Sequence, residues 1–324
     1  MSEFGDRPLV EVLRGGLREG AHHGSAVLVD PGGRVVRALG DCGAPMYPRS
    51  SSKPVQAVGM LRRGLDVSGA DLAMVAASHN GEPEHVERVR AMLASAGLSG
   101  SDLRCPADWP MSSAARDRVV AAGGGRERLA MNCSGKHAGM LRTCVARGWS
   151  TEDYLDPGHP LQRALEQTLS ELAGEEIERS TVDGCGAPLH AFSLTGLARM
   201  FSRVAAGGDE LQRVAAAMRE HPWWVGGTDR EDTLLMRAVP GLVSKMGAEG
   251  VIALGLPDGR AAAVKISDGA ARARVPVAVA VLRALAADAL PGADRAALDA
   301  LAEEPILGGG ERVGTVRALP HLFS

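Results

Sequence analysis

The sequence predicts an α/β chain of the α+β kind, with one sheet drawn from both chain ends and a helical stretch between them. Three observations carry this. Apolar runs split by turns stand near the N-terminus, similar runs return at 241–267, and helix-period apolar spacing fills most of 54–235. A parallel sheet would need strands alternating with helices, and that alternation is missing.

Each element follows from its residues. Residues 8–40 read as strands. Within them 25–30, a Pro31-Gly32-Gly33 turn and 34–39 form a β-hairpin. In residues 83–98, Val86, Val89, Met92 and Leu93 recur at helical spacing with charges between them. Residues 158–173, 188–206 and 208–220 read as helices in the same way. Strands return at 250–255 and 261–266 around a Pro257-Asp258-Gly259 turn, and a helix is expected over 275–288. Glycine clusters at 123–125, 207–208 and 308–310 read as loops. The expected organisation is one unit over 8–324, with an α/β lobe from 8–53 and 236–324 and a mainly helical lobe from 54–235.

Composition narrows the function. The 324 residues carry a formal net charge of −3, so nothing draws the chain to nucleic acid or an anionic membrane. Aromatic residues make up 3%, too few for base-stacking platforms. Residues 275–290 are apolar but interrupted by Arg283 and Asp288, and too short to span a bilayer. The polar residues 1–6 lack the apolar core of a secretory signal, so a cytoplasmic location is expected. The five cysteines are odd in number and scattered, which points to thiols and to metal binding rather than to a disulfide framework.

Five segments are candidates for chemistry. Ser50-Ser51-Ser52-Lys53-Pro54 contains Ser-x-x-Lys at an expected helix start. Residues three apart share a helical face, with Cβ atoms about 5–6 Å apart. A hydroxyl and an amine so placed can act as nucleophile and base. The same residues also suit a plain Ser-capped helix with Pro54 in its first turn. Ser78-His79-Asn80-Gly81-Glu82 holds a Ser-x-Asn between two helices, as a solvated turn or as the rim of a site. Its histidines do not form the His-Glu-x-x-His zinc signature.

Asn132-Cys133-Ser134-Gly135-Lys136-His137 suggests a phosphate loop, but Ala130 and His137 break that pattern. Cys133 and Lys136 share a helical face, and Asp183-Gly184-Cys185-Gly186 supplies a second thiol. Two thiolates and a nitrogen suit Zn²⁺. Two buried, apolar cysteines are the alternative. Lys245 and Lys265 stand on or beside strands, where most lysines are simply solvated.

Together these segments resemble the asparaginase II family, the thermolabile rhizobial-type L-asparaginases. The agreement extends through Lys245-Met246-Gly247-Ala248-Glu249-Gly250 and covers roughly residues 8–305. The two cysteine segments are the most specific. The resemblance implies a serine β-lactamase/glutaminase-like fold: a mixed sheet formed by both chain ends, flanked by helices, plus a helical lobe. The sequence departs from the β-lactamase pattern in two places. Ser78-His79-Asn80 follows Ser50 by only 28 residues, and Met246 stands where those folds carry Thr.

The resemblance implies an L-asparaginase in which Ser50 attacks the side-chain amide and Lys53, once neutral, is its base. Lys245 would be the nearby cation and, with Ser78, would pass a proton to the leaving ammonia; Lys265 is held in reserve for that role. Arg49 suits the α-carboxylate, and Asp183 or Glu82 the α-ammonium. His79, Asn80 and His137 complete the expected substrate-binding set. Zn²⁺ would be held by Cys133, Lys136 and Cys185, and a homodimer is expected. Other serine amidohydrolases, a zinc-activated water, and a non-catalytic, metal-braced binding module remain as alternatives.

Overall fold

The computed structural model describes residues 5–286, 289–320, 322 and 323. The N-terminal segment before Gly5 and the end of the expected 275–288 helix (287 and 288) lie outside the described residues.

Eight strands form one sheet: β1 (Arg7–Arg14), β2 (Leu17–Val29), β3 (Val35–Leu39), β7 (Val243–Gly247), β8 (Val251–Gly255), β9 (Ala261–Ile266), β10 (Glu303–Gly308) and β11 (Glu311–Ala318). The main order is β10-β11-β1-β2-β9-β8-β7. Both chain ends therefore meet in the sheet, as the sequence predicts. Every pairing in it is antiparallel rather than mixed. Short turns join most neighbours, and a short turn permits only antiparallel pairing. The 13-residue β2 pairs with β1 through 17–24 and with the β3 hairpin partner through 26–29.

A second, three-stranded sheet consists of β4 (Pro45–Met46), β5 (Arg179–Val182) and β6 (Pro188–Ser193), in the order β4-β6-β5. This corrects the expected helix over 188–206, whose first six residues are strand β6. A short apolar run has no period that separates strand from helix. The helix proper begins after Ser193, whose hydroxyl caps Gly196 N–H. Strands β10 and β11 were also unread, and Gly308-Gly309-Gly310 falls at their hairpin turn rather than in an ordinary loop.

The helices are α1 (Lys53–Arg62), α2 (Gly69–Val75), α3 (Pro83–Ala94), α4 (Ser113–Ala121), α5 (Ser134–Arg147), α6 (Pro160–Ala173), α7 (Leu194–Ala206), α8 (Asp209–Glu220), α9 (Pro222–Val225), α10 (Glu231–Ala238), α11 (Ala271–Ala284) and α12 (Arg295–Leu301). Helix α7 packs on β2, β8 and β9, and α11 packs on β1, β9 and β11. Strand β8 is buried along its whole length. Small residues make this close layering possible, among them Ala253, Ala261, Ala262 and Ala263, all buried. All five cysteines are free and buried. No helix among the described residues is long and apolar enough to cross a membrane.

Gly255 of β8 is where α7 comes closest. A Cβ there would lie 2.6 Å from Phe201 O and 2.8 Å from Ala205 Cβ. Gly255→Val is expected to cost about 1–3 kcal/mol through overpacking. Urea unfolding reads this as a lower midpoint at unchanged slope; an unchanged midpoint would contradict the α7–β8 packing.

Candidate active site

The site begins where the chain turns into α1. Arg49–Ser52 form one 3₁₀ turn that runs directly into the helix. Arg49 has φ of 52°, a left-handed conformation that a long side chain adopts only at a cost, and such residues concentrate at functional sites. Gly247 of β7 presses on this turn; a Cβ there would run into Pro48 O and come within 3.2 Å of Ser51 N. The three serines separate clearly. Ser51 Oγ donates to Pro48 O at 2.7 Å, Ser52 Oγ donates to Arg49 O at 3.0 Å, and both residues are buried. Ser50 is partly exposed and has neither tie.

Lys53 is 1% exposed. Its Nζ donates to Ala77 O at 2.6 Å, Ser78 Oγ at 3.0 Å and Cys133 Sγ at 3.1 Å. The lysine of the Ser-x-x-Lys pair is thus bonded to Ser78, and Ser50 is not among its partners. Three segments meet at this amine: the start of α1, the chain following α2, and the N-cap of α5. Glycines set the last approach, since a Cβ at Gly135 would run into Met74 O and one at Gly139 would lie 2.8 Å from the Val75 methyls. Gly135 therefore serves close helix packing.

The rest of the 78–82 segment divides in two. His79 is fully buried: its Nδ1 accepts from Gly81 N at 3.1 Å and its Nε2 faces Ser134 Oγ at 3.0 Å. Burial holds its imidazole well below its ordinary pKa. A neutral ring with both nitrogens engaged braces the loop, which corrects its expected contact with substrate. Glu82 is likewise engaged, accepting from Asn80 Nδ2 at 3.0 Å, Thr228 N at 2.8 Å and Thr228 Oγ1 at 3.0 Å. It holds the loop rather than standing free for an ammonium. Asn80 also donates to Thr228 O at 2.9 Å and accepts from Arg230 Nη1 at 3.1 Å.

Lys245 is fully buried on β7 and donates to Asp232 Oδ2 at 2.9 Å and to Met246 O at 2.9 Å. Burial pulls its pKa down to about 8, opposed by Asp232 and aided by the positive charges of Lys53 and Arg230. Asp232 also accepts from Ser244 Oγ at 2.9 Å and Met246 N at 2.8 Å, so this carboxylate is fully engaged. Ser78 and Lys245 are not hydrogen-bonded to each other. Lys265 lies elsewhere, donating to Glu249 O and Ile266 O, each at 2.6 Å. Of the two lysines considered, the structure brings Lys245 toward Lys53.

The thiols form the other wall. Cys185 lies in the 183–187 loop, where Gly186 supplies the positive φ of 85° that the β5–β6 connection requires. Lys136 Nζ donates to Cys185 Sγ at 3.2 Å. The Cys133 thiol, with Lys136 beside it, holds the Cys185 pKa well below its ordinary value, while Cys185 and burial push that of Cys133 up. Lys136 is held as a cation by the facing sulfurs, against the opposing effect of burial. His137 Nδ1 faces Tyr154 Oη at 2.7 Å, while its Nε2 is buried without a hydrogen-bond partner. Arg49 Nε donates to Asp183 Oδ1 at 2.7 Å and Nη1 lies 3.7 Å from Glu249 Oε1. Outside this pair lies a cleft of about 500 Å³, lined by Tyr47, Thr181, Val182 and Lys265 among others.

No group of three or more His, Cys, Asp or Glu side chains among the described residues is placed to hold a metal. The donors that do converge are two sulfurs and the Lys136 amine. A thiol whose pKa is lowered, a second thiol, an adjacent nitrogen and the orphaned His137 Nε2 fit a thiophilic cation such as Zn²⁺, once Lys136 gives up its proton.

Two charged residues here escaped the sequence reading, Asp232 and Arg230. Both lie at the start of α10, where Arg230 is the N-cap and Glu231 and Asp232 fill the first turn. In sequence they look like an ordinary acidic helix start. A buried acidic partner for the strand lysine was the one available hint.

No curated protein sequence matches the chain significantly. Among solved structures, a β-lactamase from Mycobacterium bovis matches at 15% identity and a TM-score of 0.45, over 80% of this chain and 94% of the other. A putative β-lactamase from Bacteroides dorei matches at 15% identity and 0.39, over 80% and 93%. The structure titled Mglu in its native form in 4.3 M NaCl matches at 15% identity and 0.41, over 76% of this chain and 56% of its own length. The sequence profile of L-asparaginase II matches residues 10–318, nearly the whole chain. The protein belongs to the L-asparaginase II family.

Proposed function

We propose that the protein hydrolyses the side-chain amide of L-asparagine to L-aspartate and ammonia through an acyl-enzyme on Ser50. Family membership supports an amidohydrolase. The observation that carries the serine reading is the sorting of the three hydroxyls: Ser51 and Ser52 are buried and tied back to the main chain, while Ser50, three residues before Lys53, is partly exposed and has neither tie.

Ser50 Oγ attacks the amide carbon and its proton passes to Lys53. The C–N bond breaks, and the proton returns through the Lys53–Ser78 hydrogen bond to the departing ammonia. Water then cleaves the aspartyl ester by the same route. The N–H of Ser50, at a helix start with no intrahelical partner, receives the oxyanion. Lys245, held by Asp232, is the second buried amine of the relay. Asp183 suits the α-ammonium, since its Oδ2 faces only the Cys185 sulfur at 4.0 Å. Cys133, Lys136 and Cys185 would hold Zn²⁺, with His137 beside them. A bound Zn²⁺ would supply a Lewis acid and brace the α5 start against the 183–187 loop.

Ser50→Ala is expected to lower kcat for ammonia release from asparagine by about 1000-fold or more, and Ser78→Ala by a smaller factor. Glutamine and nitrocefin, assayed alongside, separate an asparaginase from a glutaminase or a β-lactam hydrolase. Substantial turnover surviving in Ser50→Ala and lost only on chelation would point to zinc-activated water instead.

Lys245 must stay protonated in this scheme, so activity is expected to fall as pH rises through about 8. Asp232 raises the pKa of Lys245, and neutralising it removes that support. Asp232→Asn should therefore move the alkaline limb of the pH–rate profile to lower pH. A limb that stays in place would remove Lys245 from this role.

A further inference from the structure

We propose that Arg230 receives the α-carboxylate of the substrate, a role for which Arg49 is the sequence-level candidate. This inference rests on the asparaginase reading above.

The argument starts from what each guanidinium already holds. Arg49 is neutralised, with Asp183 at 2.7 Å on Nε and Glu249 at 3.7 Å from Nη1. A carboxylate arriving there would meet two carboxylates. Arg230 is only 13% exposed, yet the outer arms of its fork meet no carboxylate. Its Nη1 faces Asn80 Oδ1 at 3.1 Å and Met111 Sδ at 3.5 Å, and its Nη2 faces Met246 Sδ at 3.6 Å. Thioether sulfurs are weak acceptors, so two arms of a nearly buried cation are poorly satisfied. The one acid in contact, Glu231, lies 3.4 Å from Nε. It is shared with Arg274, whose Nη2 donates to it; burial raises its pKa, but Arg274 and Arg230 outweigh that and bring it to about 2.

The fork sits where the acyl chemistry is proposed. It touches Met246, next to Lys245, and Asn80, two residues after Ser78. Gly247, one residue further along β7, packs against the Ser50 turn. Asn80 is positioned to aim it. The Asn80 amide nitrogen is fixed by Glu82 and Thr228 O, so its oxygen must face Arg230. Gly227, with φ of 115°, leaves room for this; a Cβ there would lie 2.6–2.7 Å from the Asn80 side chain. Met111, half exposed, also accepts from Asn132 Nδ2 at 3.0 Å, so it links the Cys133 segment to Arg230. A substrate carboxylate would replace these sulfurs with two charge-assisted bonds to the planar fork, geometry a lysine cannot reproduce.

This reading assigns the two charged groups of the substrate Cα to different side chains. The ammonium and carboxylate on the substrate Cα would then point to Asp183 and Arg230 respectively, with the side-chain amide extending to Ser50.

The test compares wild type, Arg230→Lys and Arg49→Lys on three amides: asparagine, succinamate, which lacks the ammonium, and β-alaninamide, which lacks the carboxylate. For Arg230→Lys, the KM of asparagine and of succinamate is expected to rise about 10- to 100-fold with kcat within a few-fold. The rate on β-alaninamide should stay within about twofold, and the pH profile should hold because the charge is kept. An Arg230→Lys variant with unchanged asparagine KM, or one that loses all three amides equally, overturns the assignment. So does a carboxylate-dependent loss that appears in Arg49→Lys instead. A wild type that releases no ammonia from asparagine overturns the asparaginase reading itself, and the Arg230 assignment with it.

Discussion

The site depends on one buried amine. Lys53 sits in the core with three acceptors, one each from the end of the α2 segment, the Ser78 hydroxyl and the Cys133 sulfur. Burying an amine is unfavourable unless its donors are met, so these segments are held to one geometry. The glycines at 135 and 139 let α5 come close enough to supply the sulfur. Gly247 does the same for the turn that carries Ser50. The packing of helices and the placement of chemistry are here the same constraint.

Charges of opposite sign are paired throughout the site. Lys245 is matched by Asp232, Lys136 by the Cys185 thiolate, Arg274 by Glu231 and Arg49 by Asp183. Paired in this way, the buried charges fix orientation more than they add stability. Because Cys133 touches both Lys53 and the thiolate system, the state of the sulfurs bears directly on the proposed base. In the proposed scheme a bound metal and the acyl chemistry would be linked through this one sulfur atom.

Much of the frame was legible. The hairpin over 25–39, the helix beginning at Pro83 and the strands at 250–266 follow from turns and periods that act locally. The sheet closed by both chain ends followed from where those strands lie. Residues 188–193 misled because a short apolar run fits either element. Strands β10 and β11 were missed because they are largely exposed and hold few apolar residues, so no apolar alternation marks them. At the site, the lysines and cysteines were visible as motifs, and the structure gathers Lys53, Ser78, Cys133, Lys136, Cys185 and Lys245. What spacing could not reveal was pairing: that Lys53 bonds Ser78 rather than Ser50, that His79 and Glu82 face inward to brace a loop, and that Asp232 and Arg230 arrive from a short helix with no motif of its own.

The central claim is that Ser50 carries the acyl group. Acid quenching during steady-state turnover of asparagine, followed by peptide mass spectrometry, tests it most directly. The account predicts the mass of one aspartyl group, with loss of water, on the peptide containing Ser50, and none on that peptide from Ser50→Ala. An aspartyl adduct on Ser78, or turnover with no adduct on any residue under conditions where ester hydrolysis limits the rate, would contradict it.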